Sequence, residues 1–166
     1  MKTIFEAARE GKAECKAERK AKKPEIDQTY LGYFGEGRGR VHATAIVIHH
    51  TCTASAEATR RELKKAGYST HFEVEKDGHI YQYMPLHRSA AHCGSPNCHC
   101  IGIDATHAKD APWPAAQVDA VRDLVAWLCE ELSIERKVHK DLRGIYPHRA
   151  LGCTECPQDF PLDSLV

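Results

Sequence analysis

The chain has 166 residues, of which 42% are hydrophobic, and its formal net charge is zero. This length suits one domain with a hydrophobic core, and the neutral balance gives no indication of a nucleic-acid partner. No run approaches the roughly 18 consecutive apolar residues of a membrane helix, and the charged N-terminus lacks the apolar stretch of a secretion signal. We therefore expect synthesis in the cytoplasm without a signal peptide.

Residues 1–23 are rich in Ala, Lys and Glu, which predicts a helix that ends at Pro24. They hold eight Lys or Arg residues against four Glu, a net charge of +4, and a helical projection of residues 2–23 gathers seven of the eight basic residues on one face. Such a face could bind an anionic bacterial surface, although charged faces are usually only solvated. We expect residues 1–40 to form this helix and a Gly-rich linker, and residues 41–166 to form the main domain.

The main domain begins with an apolar, β-branched run at residues 45–48, which predicts a buried strand ending at His49 and His50. Ser55 is a candidate N-cap for a helix over residues 56–65 that Gly67 would end. Residues 71–75 and 79–83 flank a Lys-Asp-Gly turn and predict a β-hairpin.

Residues 100–104 predict another strand, and Pro114 opens the longest predicted helix. The apolar residues of that helix recur at spacings of three and four: Val118, Val121, Leu124, Val125, Leu128 and Leu132. Strands interleaved with helices predict an α/β fold, in which helices flank a central mixed β-sheet and a helical extension precedes it.

Three residues are candidates for a hydrolytic zinc site, which needs three protein ligands and one open position for water. His49 is the first, because the end of a buried strand holds a side chain rigidly. His148 and Cys156 lie eight residues apart across a predicted turn, which is close enough for both to reach one ion. On the residues alone, a purely structural role for these side chains is about equally plausible.

Five segments follow one another in a characteristic order. They are Ile46-Val47-Ile48-His49-His50-Thr51, Thr70-His71-Phe72 leading to Asp77-Gly78, Ala91-His92-Cys93-Gly94, Ile101-Gly102-Ile103-Asp104, and His148 through Cys156-Pro157. Together, over residues 41–162, they resemble the zinc N-acetylmuramoyl-L-alanine amidases, whose fold is shared by short phage endolysins and peptidoglycan recognition proteins. The resemblance implies one catalytic zinc on His49, His148 and Cys156, and hydrolysis of the amide between the muramoyl lactyl group and L-alanine.

The resemblance also implies catalytic helpers. Thr154, two residues before the Cys ligand, occupies the position of a group that stabilises the oxyanion, although a turn-forming hydroxyl is the alternative. Thr70 stands where many relatives carry a water-orienting tyrosine. Relatives without that tyrosine carry a glutamate where this chain has Asp104, which we expect to act as general base. Tyr68 is the alternative helper, and capping of a turn is the alternative role for Asp104.

His92 matches a histidine of the family's substrate groove, and we expect Asn97 and Thr70 to line the same groove. Cys93, Cys98 and Cys100 have no part in the family pattern, and Cys153 has none either. They could hold a second, structural zinc ion, form a disulfide or be free thiols. Cys129 lies in an apolar helical pattern and is expected to be a buried small hydrophobe.

The leading functional prediction is a monomeric, lytic, phage-type endolysin. It would act on peptidoglycan in the cell wall after another protein, of the holin type, opens the inner membrane. The alternatives are a cytosolic amidase that recycles soluble muropeptides, a peptidoglycan-binding protein without activity, and an antibacterial toxin. Binding proteins of this family typically lack the cysteine ligand, so the presence of Cys156 favours catalysis.

Overall fold

The computed structural model describes residues 20–37, 39–138 and 142–166. It contains strands β1 (Ala45–His50), β2 (Phe72–Val74), β3 (Ile80–Gln82), β4 (Cys100–Ala105) and β5 (Gly144–Pro147), with helices α1 (Ala56–Ala66) and α2 (Ala115–Glu131). Short 3-10 helices cover Ser95–His99, His148–Ala150 and Leu162–Leu165. The predicted α/β class is confirmed. No helix in this part of the chain is long and apolar enough to cross a membrane.

The five strands form one mixed sheet in the order β3-β2-β4-β1-β5. Strand β2 pairs antiparallel with β3, as the predicted hairpin requires, and the other three pairings are parallel. The two central strands, β1 and β4, pair along their whole length and are almost entirely buried, which explains their continuous apolar sequences. Because β2, β4, β1 and β5 are parallel, their carboxyl ends meet at one edge of the sheet.

Helix α1 begins at the predicted residue and ends one residue later than predicted, directly before Gly67. The Ser55 side chain accepts a hydrogen bond from the Ala58 N–H at 3.3 Å, which satisfies a free donor of the first turn. Gly67 follows the last turn with a φ of 74°, a conformation that costs glycine little. The helix is therefore capped at both ends, by Ser55 and Gly67, residues that suit the backbone geometry of those positions.

Helix α2 closes the hydrophobic core on one face of the sheet. It begins directly after Pro114 and ends at Glu131. Its predicted apolar stripe is mostly buried, with Val121, Leu124, Val125 and Leu128 fully enclosed. These side chains pack against inward-facing strand residues such as Ile46, Ile48, Phe72, Ile101 and Ile103. The helix thus covers one face of the sheet, and the carboxyl-end edge stays available for a site.

The segment before residue 41 was predicted to be a helix followed by a linker. In the part of this segment that the structure describes, the predicted helical residues are not helical. Residues 1–19 lie outside the described residues, and residues 20–23 are not helical. Ala21 donates its N–H to the Glu130 carboxylate at 2.6 Å, and the Lys23 ammonium lies 5.0 Å from the Trp127 ring centroid. These contacts with α2, together with the extended conformation that Pro24 favours before it, account for the difference.

Residues 26–34 attach to the exposed edge of β3. Asp27 donates its N–H to the Ile80 carbonyl at 2.8 Å and accepts from the Gln82 N–H at 2.9 Å. The ring of Tyr30 packs edge-on against Tyr81. An edge strand leaves N–H and C=O groups unpaired, and this segment pairs some of them. The predicted linker is therefore partly attached to the sheet, while the division at residue 40 stays a prediction.

Candidate active site

Three potential metal ligands converge at the carboxyl-end edge of the sheet. His49 is the next-to-last residue of β1. His148 directly follows β5, and β5 pairs with β1 as far as the residue pair Ile48 and Pro147. Cys156 returns to the same place on the C-terminal loop, where the His50 N–H donates to its sulfur at 3.2 Å. One ligand atom from each of His49, His148 and Cys156 lies within 4.8 Å of the other two.

The chemistry of this cluster fits a zinc ion. Burial lowers the pKa of His49 and that of His148, so both imidazoles are neutral near pH 7 and each has a lone pair to offer. Burial raises the pKa of the Cys156 thiol to about 12, so a cation that binds here must displace the thiol proton. Two imidazoles and one thiolate are a ligand set typical of zinc with an open fourth position.

The cluster opens into a groove of about 820 Å³. The groove is lined by residues of α1 and of the loop before it, including Thr53, Thr59 and Glu62, and by residues that follow β5. His92 and Asn97 line the groove on the side of the 3-10 helix Ser95–His99. The volume is within the range of sites that enclose a substrate of several groups.

Asp104 lies beside the cluster on the neighbouring strand. It is in register with His49 on β1 and with Glu73 on β2, so the three side chains form a row on one face of the sheet. Burial, and then the charge of Glu73, raise the pKa of Asp104 to about 8, whereas a hydrogen bond with Thr70 lowers it. Without a cation the carboxyl group is therefore protonated near neutral pH.

Residues 39–159 match the family model described as N-acetylmuramoyl-L-alanine amidase. The chain belongs to this family. It is thus a member of a family of peptidoglycan amidases, and the convergence of the three ligands occurs within the matched residues. No curated protein sequence matches the amidase significantly.

Several solved structures share the fold of the amidase. An endolysin N-acetylmuramoyl-L-alanine amidase from Clostridium intestinale is 21% identical with a TM-score of 0.71, and the match covers 87% of this chain and 95% of that one. A mutant endolysin from Bacillus subtilis is 26% identical with a TM-score of 0.66, covering 86% and 97%. The Drosophila peptidoglycan recognition protein SA is 18% identical with a TM-score of 0.63, covering 86% and 91%.

Thr154 and Tyr68, two residues predicted to assist catalysis, both line the groove of the amidase. Thr154 is exposed in the groove, and its hydroxyl oxygen accepts the Cys156 N–H at 3.1 Å, which leaves its own proton to donate. Tyr68 lies on the groove wall with 59% of its surface exposed. Strand β2 begins only at Phe72, so Tyr68 does not occupy the strand position that would align it with Thr70.

Of the predicted substrate contacts Thr70 and Asn97, only Asn97 lines the groove. Thr70 is fully buried and is absent from the groove lining, so its predicted contact with substrate is wrong in this structure. Its hydroxyl instead donates to the Phe72 carbonyl at 3.3 Å and hydrogen-bonds with Asp104 beneath the site. Asn97 lines the groove, but its side-chain oxygen accepts the N–H groups of His92 at 3.1 Å and Cys93 at 2.8 Å. Asn97 therefore holds the loop that carries His92.

The structure contains a buried carboxylate that the sequence analysis missed. Glu73 is fully buried and accepts hydrogen bonds from the Tyr83 hydroxyl at 2.5 Å and from the Thr106 hydroxyl at 2.6 Å. The Arg60 guanidinium donates to the Tyr83 hydroxyl at 3.1 Å. This network fixes α1, which forms one wall of the groove, to the sheet. The only signal in the sequence was a glutamate between apolar residues of a short strand.

The prediction of a second zinc ion at Cys93, Cys98 and Cys100 is not supported. Among residues 20–37, 39–138 and 142–166, the His49 cluster is the only group of three or more side chains placed to hold a metal ion. Cys93 and Cys100 are buried and hydrogen-bond to each other, which raises the pKa of Cys93 and lowers that of Cys100, while Cys98 is exposed. All of these thiols are free. Cys129 is buried in the core, as predicted.

Proposed function

We propose that this amidase is a zinc enzyme that hydrolyses the amide bond between the muramoyl lactyl group and L-alanine in peptidoglycan. The observation that carries the proposal is the convergence of His49, His148 and Cys156 in the lining of an open groove. When bound, zinc supplies a Lewis acid that activates water and polarises the scissile carbonyl. The remaining steps depend on side chains of the chain itself.

Asp104 is the proposed proton carrier. Asp104 is in register with His49 on the neighbouring strand, so its carboxyl group lies beside the proposed metal site. A nearby dication favours the carboxylate form and counteracts the effect of burial on the pKa. Asp104 can then take a proton from the attacking water and deliver it to the leaving amine.

Thr154 is the proposed donor to the oxyanion that develops on the carbonyl oxygen. Its oxygen is occupied by the Cys156 N–H, so its hydroxyl proton is free to point into the groove. A neutral hydroxyl contributes one hydrogen bond and no charge, so its share of transition-state stabilisation is smaller than that of the metal.

The proposed biological role is lytic, as in a phage endolysin that acts as a monomer on the cell wall after release from the cytoplasm. Two of the solved structures that share this fold carry the name endolysin, which supports the role. The second candidate is a peptidoglycan-binding protein, since the Drosophila recognition protein also shares the fold. The cluster of potential metal ligands and the buried Asp104 favour catalysis over binding alone.

The test is digestion of purified sacculi followed by mass spectrometry, with the wild type and His49→Ala compared. The wild type should release stem peptides with a free N-terminal L-alanine, and the variant should be slower by at least about a thousandfold, because a catalytic metal is worth several kcal/mol. Cleavage of soluble fragments only would indicate a recycling amidase. Binding to sacculi without new N-termini would contradict the proposal and indicate a binding protein.

The basic N-terminal segment is proposed to bring the enzyme to an anionic envelope surface. Removal of residues 2–19 should reduce killing of intact cells by roughly tenfold or more, because each basic side chain near such a surface contributes about 1 kcal/mol. Hydrolysis of purified peptidoglycan should not change, because the truncation keeps the contacts of Ala21 and Lys23 with α2. Equal losses in both assays would contradict the targeting role.

A further inference from the structure

His92 lies directly behind the proposed ligand His49. The Nδ1 atom of His92 is 3.0 Å from the Nε2 atom of His49, and the two rings meet edge to face with their centroids 5.1 Å apart. The His92 ring rests on Gly102 of β4, where a Cβ atom would lie 2.8 Å from its Cγ and Nδ1 atoms. Glycine at this position therefore makes room for the ring to reach His49.

The other nitrogen of His92 determines where its proton sits. Nε2 faces the carbonyl oxygen of Cys100 at 3.4 Å, and a carbonyl can only accept a hydrogen bond. The Cys93 sulfur is farther from the same nitrogen, at 3.9 Å, so the carbonyl is the nearer partner and we assign the proton to Nε2. A neutral imidazole carries one proton only, so with that proton on Nε2 the Nδ1 atom of His92 is an acceptor.

The state of His92 in turn fixes the state of His49. Since Nδ1 of His92 accepts, Nε2 of His49 must donate across the 3.0 Å contact. A neutral His49 ring carries one proton, and this contact places it on Nε2. The lone pair of His49 is therefore on Nδ1. That nitrogen is the one left to bind a metal ion.

We propose that His92 is a positioning residue of the metal centre, which holds His49 in the tautomer and orientation that present Nδ1 to zinc. The inference rests on the proposed function only for the identity of the metal. Partners of this kind, which hydrogen-bond to the second nitrogen of a ligating histidine, fix the ring and tune its basicity. In this role His92 acts through His49, while its contact with substrate stays a prediction.

The test is the zinc affinity of the metal-free protein and its variants, measured by competition with a chromophoric chelator and without substrate. Loss of such a partner typically weakens metal binding by about 10- to 100-fold. We expect His92→Gln to show a loss in this range, because the Gln amide reaches the place of Nε2 and leaves the place of Nδ1 empty. His92→Asn should stay within a few-fold of the wild type, because the Asn side-chain oxygen can occupy the place of Nδ1.

His99→Ala is the matched control, since it removes an exposed imidazole from the same loop and should leave zinc affinity unchanged. A second measurement uses the unaltered protein and does not depend on any variant folding. In the zinc-loaded wild type, NMR of the ring nitrogens should show His49 protonated at Nε2 and bound through Nδ1.

Ligation of zinc through Nε2 of His49 would overturn the inference. So would wild-type zinc affinity in His92→Gln together with a raised KM, which would make His92 a substrate contact. A wild-type protein that binds no zinc would overturn both this inference and the proposed function. The zinc affinities of the wild type and the His92 variants could follow the expected order while the wild type cleaves no sacculi. That result would support the inference and contradict the proposed function.

Discussion

Cys156→Ser should abolish the hydrolysis of peptidoglycan, with kcat/KM reduced by at least about a thousandfold. A serine hydroxyl is a far weaker zinc ligand than a thiolate, so two imidazoles would be left to hold the ion. The serine oxygen can still accept the His50 N–H that now reaches the Cys156 sulfur at 3.2 Å, so the loop should keep its place. Steady-state hydrolysis and the zinc content of the purified protein measure the two effects.

Cys153→Ser is the matched control, because Cys153 is an exposed thiol three residues earlier on the same loop. It should retain wild-type activity and zinc content. Treating the wild type with a strong chelator should reproduce the loss, and adding zinc back should restore activity. Full activity in the chelated wild type and in Cys156→Ser would mean that hydrolysis proceeds without a metal.

Asp104→Asn should lower kcat by about 10²- to 10⁴-fold with little change in KM, because an amide cannot take the proton of the attacking water. The same substitution should stabilise the metal-free protein at alkaline pH. In the folded state burial and Glu73 raise the pKa of Asp104 to about 8, against an ordinary value of 3.8. The carboxyl group therefore opposes folding increasingly as the pH rises from about 4, and fully above about 8.

Chemical denaturation of the metal-free wild type and Asp104→Asn at pH 4 and pH 9 measures the second effect. We expect similar stability at pH 4 and a gain of roughly 2–5 kcal/mol for the variant at pH 9. Asp163→Asn, at an exposed site outside the groove lining, should show no such pH-dependent difference. Equal stability of the variant and the wild type at both pH values would mean that Asp104 is not held in a protonated state.

Local signals in the sequence were sufficient for β1, which carries His49, and for α1, but not for β5, which precedes His148. The β-branched run of residues 45–48 predicted that His49 would stand at the end of a buried strand, and Ser55 and Gly67 marked the ends of α1. These predictions depend only on neighbours along the chain. The meeting of His49 with His148 and Cys156 came from the resemblance to a family, since no local pattern brings β5 beside β1.

The contacts that the sequence analysis missed depend on strand register and on loop packing. Glu73 lies opposite Asp104 only because β2 pairs with β4 in one register, and a shift by one residue would turn it to the other face. Thr70 was expected in the groove, but the late start of β2 buries it beneath Asp104. The 3.0 Å contact between His49 and His92 likewise requires the absent side chain of Gly102, a distant position in the chain.

The attachment of residues 26–34 to β3 has a practical consequence for protein engineering. Tyr30 stacks 3.9 Å from the Arg60 guanidinium, which in turn donates to Tyr83 in the network that fixes the groove wall. Trimming the enzyme to residue 41, where the predicted main domain begins, would remove the Tyr30 ring and expose the Arg60 guanidinium to water. A fusion that adds a new wall-binding module should therefore be joined upstream of residue 20, so that the tyrosine stays in place.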